Sequence, residues 1–168
     1  GDIEKATEIT IPQNGTDVTL NFAGLMTAAD KVLTISQGEG TTAGNSTHKI
    51  TINVPTGDHG QYLVIKAPEA SVTLASGNYS SVNALTAKNT LYVDGAIIQN
   101  LVIQGGVVRV TAAGKITGKI STTSSEPVYL ILETGATVGN NLPATIGENI
   151  ILTNSTTYDL TYAAKYGG

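Results

Sequence analysis

The chain of 168 residues contains no cysteine, one phenylalanine and one methionine. Without cysteine it forms no disulfides and no thiolate metal centre, and cysteine usage says nothing about redox compartment. Charge is also scarce. Asp, Glu, Lys and Arg make up 13% of the residues, about half the ordinary share. The net charge is −4, and the eight Lys and one Arg are scattered singly. With no basic stripe and no cluster of aromatic and basic residues, nucleic acid is excluded as a partner, and so is a polybasic membrane surface. No apolar run reaches the ~18 residues of a membrane span. The chain opens Gly1-Asp2 without Met, which reads as a mature or trimmed form, so a missing export signal is uninformative. Helix chemistry is confined to AGLMTAADK at 23–31, too short to stand alone.

What is present is hydroxyl and glycine. There are 25 Thr and 10 Ser, roughly a fifth of the chain. Thr suits a pleated surface through its branched Cβ, and a surface rich in Thr, Asn and Gly is common in secreted bacterial β proteins. Glycine follows short aliphatic runs at a steady interval: VLTISQG ends at Gly38, KITINVPTG at Gly57, VTLASG at Gly77, LYVDG at Gly95, VVRVTAAG at Gly114 and VYLILETG at Gly135. ENIILTN closes the series at Asn154, which shares glycine's tolerance of positive φ. The steps of 19, 20, 18, 19, 21 and 19 residues mark a stacked repeat.

Each unit reads strand, glycine turn, strand, turn. The expected fold is all-β: a single right-handed parallel β-helix of about seven coils with an N-terminal cap. Leu74, Leu91, Val93, Val108, Val110, Leu130, Leu132, Ile150 and Leu152 are the expected inward columns. An antiparallel β-sandwich is the alternative, since it too has many short, evenly spaced strands. The steady glycine position and the rarity of hairpin dipeptides favour the solenoid. One detail opposes it: Leu74 lies three residues before Gly77, but Val93 lies two before Gly95, so turn length must absorb a change of parity. The expected organisation is one domain, with a cap at 1–31, coils at 32–162 and a tail at 163–168. Phe22, Leu25 and Met26 are the expected cap residues, because a terminal coil otherwise exposes apolar side chains and unpaired backbone. GEGTTAGNST at 38–47 has the composition of a surface loop.

Coil length and the glycine–aliphatic rhythm over about 32–162 resemble the right-handed parallel β-helix class, including the pectin-lyase-like superfamily. That resemblance implies secreted carbohydrate lyases, hydrolases or surface adhesins. The catalytic motifs of those enzymes are not found: GDHG at 57–60 has one residue too many for a Gly-His-Gly. KITGKI followed by GATVGNN is similar to bactofilins, which implies end-to-end self-assembly, although a cap would block one end of such a polymer.

No catalytic set can be assembled with force. Asp94, one before Gly95, and Glu133, two before Gly135, are the acids from which a glycosidase pair would be built; the plainer reading makes each a solvated turn acid. His48 and His59, with Asp58, lack a third ligand, so neither a metal nor another cofactor is implied. Tyr62, Tyr79, Tyr92, Tyr129, Tyr158 and Tyr162 fall in the repeats. Exposed aromatics on a flat β face stack on sugar rings, and Tyr92 and Tyr129 are the pair expected to share a face and bind ligand. The plainer reading makes some tyrosines core fillers. Asn78, Asn89, Asn100, Asn140, Asn141 and Asn154 suit turns and ladders between coils. The function expected is a non-enzymatic, secreted or cell-surface solenoid, structural or adhesive, binding a glycan or a surface protein along one face, and monomeric. A polysaccharide-active enzyme and a self-assembling filament are the alternatives.

Overall fold

A computed structural model describes residues 7–11, 17–24, 32–37, 49–55, 61–66, 70–84 and 90–154. Thirteen strands occur among them: β1 (Glu8–Ile11), β2 (Val18–Asn21), β3 (Val32–Gln37), β4 (Lys49–Asn53), β5 (Gln61–Lys66), β6 (Ser71–Leu74), β7 (Asn78–Ala84), β8 (Thr90–Val93), β9 (Ile97–Ile103), β10 (Val107–Val110), β11 (Lys115–Ser121), β12 (Val128–Leu132) and β13 (Ile150–Asn154). Odd and even strands alternate between two sheets up to β12. The first sheet runs β1-β3-β5-β7-β9-β11 and the second β2-β4-β6-β8-β10-β12-β13. Every strand pair is parallel. This is a β-solenoid, and the antiparallel sandwich is excluded.

The register explains why these residues stack. In the second sheet, Val18, Ile50, Val72, Leu91, Val108, Leu130 and Leu152 form one column, and Leu20, Ile52, Leu74, Val93, Val110 and Leu132 form a second. In the first sheet Leu33, Leu63, Val82, Leu101 and Ile120 align, beside Ile9, Ile35, Ile65, Ala84 and Ile103. Most of these side chains are fully buried, each contributing about 1.5–3 kcal/mol. All the expected column residues except Ile150 lie in the second sheet's two columns. Ile150 stands opposite Val128, partly buried against the same core.

The parity problem resolves at the corners. Leu74, Val93 and Val110 are in register, and the turns after them take residues 75–77, 94–96 and 111–114. Turn length therefore varies while strand register holds. Glycine is demanded here by contact between successive turns. A Cβ on Gly95 would stand 2.3 Å from the Ala75 carbonyl oxygen, at φ +116°, and one on Gly114 would stand 2.0 Å from that of Val93. Asn154 does not occupy this corner. It ends β13 opposite Leu132, and among the described residues the asparagine with positive φ is Asn149, at 62°.

The solenoid has about five turns, with six strands stacked in the first sheet and seven in the second, and the 19-residue pitch does not hold throughout. Thr10 meets Ser36, 26 residues on, and Asn21 meets Asn53, 32 on; from β5 onward the steps shorten to between 17 and 22 residues. The stretch expected to close the N-terminal end carries β1 and β2, which are the first strands of the two sheets. Phe22 is buried and donates its amide to the Asn53 carbonyl at 2.9 Å. Leu25, Met26, the 38–47 loop and the 163–168 tail lie outside the described residues. At the far end of the first sheet, residues 141–147 run along β11. Ile116 N donates to Asn141 O at 2.8 Å and Gly147 N to Ile120 O at 3.1 Å, with Leu142 buried beneath. Asn141 fastens this segment. Its amide donates to the carbonyls of Thr111, Ala112 and Gly114 at 3.3, 3.2 and 2.7 Å, and its Oδ1 accepts from Thr137 N at 3.0 Å.

Candidate functional site

Alternate residues of each strand point away from the core, so the second sheet offers a flat outer face. Two columns cross it. One reads Lys49, Ser71, Thr90, Val107, Tyr129, Ile151; the other reads Thr19, Thr51, Thr73, Tyr92, Arg109, Ile131, Thr153. Tyr92 and Tyr129 therefore do share a face. They are not stacked on each other: they stand in adjacent columns, with β10 between their strands. Tyr129 packs on Val107 and Ile131. Tyr92 lies instead in a groove of about 200 Å³ lined with Lys49, Ser71, Thr73 and Asp94.

The other aromatic candidates are elsewhere. Tyr79 points inward, fully buried, in register with Ile98, which in turn faces Ile116. Its hydroxyl donates to the Ser76 carbonyl at 3.2 Å, and burial pushes the phenol well above the ordinary tyrosine range. It is a core filler and takes no part in a binding strip. Tyr62 is on the first sheet, opposite Ser81. Tyr158 and Tyr162, and with them His48, Asp58, His59 and Asn89, lie outside the described residues.

The two acids are not brought together. Asp94 extends β8 and accepts a hydrogen bond from Thr111 Oγ1 at 2.6 Å. Glu133 extends β12 and accepts one from Arg109 Nη1, also at 2.6 Å, as an ion pair with both side chains partly buried. Asp94 borders the Tyr92 groove, whereas Glu133 borders a second cleft of about 400 Å³ lined by Leu132, residues 134–138 and Asn154. Two strand spacings, about 10 Å, separate their backbones. A two-acid hydrolytic mechanism needs both carboxyls across one bond, and these serve different clefts. The Arg109–Glu133 pair was not visible in the sequence: the partners are 24 residues apart, and the step from β10 to β12 is 22 residues where that from β8 to β10 is 17. Among the described residues no group of three His, Asp or Glu is placed to hold a metal ion.

The Tyr92 groove gathers one aromatic ring, two hydroxyls, an ammonium and a carboxylate, groups that stack, donate and accept. The strands beneath are fixed by the inner columns, so the groove is pre-formed. No protein family, curated protein or solved structure matches this chain.

Proposed function

We propose that this protein is a non-enzymatic solenoid module, secreted or displayed on a cell surface, that binds a glycan on the outer face of β4, β6 and β8. The observation that carries this reading is the Tyr92 groove, where Lys49, Ser71, Thr73 and Asp94 surround one aromatic ring. A rigid, pre-ordered face keeps the ordering cost of binding low, and the hydroxyl-rich composition suits an extracellular surface. Asp94 and Glu133 border different clefts, which favours the binding reading over a two-acid enzyme.

A glycan array followed by calorimetry tests the proposal. Binding to at least one oligosaccharide class is expected, with Tyr92→Ala weakening it about tenfold or more while the fold persists. The stacking of one ring contributes about 1 kcal/mol or more beyond its buried area. Binding that Tyr92→Ala leaves untouched contradicts the assignment of this groove, and an array without hits contradicts the glycan. Light scattering across concentrations separates the expected monomer from the filament alternative.

A further inference from the structure

The Tyr92 groove holds its two charges at opposite corners. Lys49 opens β4, exposed, and the register sets it beside Ser71 and then Thr90. Asp94 lies four residues past Thr90, just beyond the end of β8. Two strand spacings of ~4.8 Å and four residues at ~3.3 Å each put the two positions about 16 Å apart along the diagonal. Tyr92 stands between them, next to Thr73 on β6. The two charges do not meet, and the carboxylates on this side of the sheet are engaged elsewhere. Asp94 Oδ1 accepts from Thr111 Oγ1 at 2.6 Å, and Asp17 Oδ1 accepts from the backbone amide of Lys49 at 2.9 Å. Among the described residues the Lys49 ammonium enters no ion pair.

We infer that the ligand is an acidic oligosaccharide lying diagonally across β4, β6 and β8, with its anionic group on Lys49. This rests on the glycan reading of the groove and adds to it the charge and the direction of the ligand. An ammonium donates hydrogen bonds and accepts none, so its partner is an acceptor, and a charged acceptor binds it about twice as strongly as a neutral one. A carboxylate or a sulfate ester supplies that acceptor. At the other corner the Asp94 carboxylate accepts only and repels a second anion, so it meets sugar hydroxyls. Thr111 holds its Oδ1 and leaves Oδ2 for the ligand. The diagonal is longer than one sugar ring, which calls for several linked units, and the Tyr92 ring lies beneath the middle of such a chain.

Matched oligosaccharides test this by calorimetry: one backbone offered neutral, carboxylated and sulfated. At low ionic strength an acidic member is expected to bind about fivefold more tightly than the neutral one, the worth of one partly exposed ion pair, and the preference should fade in high salt. The carboxylated and sulfated arms show which anion Lys49 takes. Lys49→Gln is expected to erase the preference and Lys49→Arg to keep it. Equal binding of neutral and acidic members, or a preference that survives Lys49→Gln, overturns the inference. If Tyr92→Ala still weakens binding in that case, the groove binds glycan and only the acidic assignment has failed; an absence of binding by every member overturns both.

Discussion

Between β4 and β8 the outward positions of the second sheet include Lys49, Thr51, Ser71, Thr73, Thr90 and Tyr92, with an open groove beside Tyr92; between β10 and β13 they include Val107, Tyr129, Ile131 and Ile151, of which Val107 and Ile131 are buried. The same aliphatic columns run beneath both halves without a break. The difference separates two kinds of constraint. Inward positions are dictated by stacking, since each side chain must fill the space between its equivalents one coil above and below. Outward positions are free of that demand, so their composition reports what meets the surface: hydroxyls and one ring in one half, a buried apolar strip in the other.

The largest effect should come from the corner on which the whole stack depends. Gly114→Ala places a Cβ 2.0 Å from the Val93 carbonyl oxygen, and backbone must move to admit it. A loss of about 4 kcal/mol is expected by urea denaturation; a loss under about 1 kcal/mol would mean that the coils are spaced more loosely than described. Next come the shared columns. Leu91 and Leu130 are fully buried in one column, one beneath each half. Leu→Ala at either should cost about 3 kcal/mol, and a markedly smaller loss at one would break the continuity of the core. The outer face should then divide the halves. Ile131→Ser is expected to cost about 2 kcal/mol and Thr73→Ser to stay within about 0.5 kcal/mol; equal costs would erase the distinction. The smallest effect belongs to the ion pair. With Arg109 and Glu133 side chains 19% and 27% exposed, solvent screening limits Glu133→Gln to about 1 kcal/mol or less, and the loss should shrink further in 1 M salt.

These regions also differ in how far the sequence discloses them. The inner columns are legible because aliphatic and β-branched residues recur at strand spacing and glycine marks each corner. Tyr92 and Tyr129 could be placed on one face from parity alone. Their different surroundings could not, because which residues flank a side chain depends on the length of every intervening turn. The same uncertainty hid the Arg109–Glu133 pair. Asn141 is legible only as a turn residue; its grip on the 111–114 corner needs an irregular segment that no period describes. The N-terminal coils escaped because their connections are longer, and the glycine rhythm carries no signal where a turn of 26 or 32 residues replaces one of 19.

The most direct test of the account is a chemical-shift titration of isotope-labelled protein with the oligosaccharide selected by the array. The account predicts perturbations centred on Lys49, Ser71, Thr73, Tyr92 and Asp94, with the β10–β13 half of the face silent. Perturbations centred on the cleft of residues 133–138, or none at saturating ligand, would contradict it.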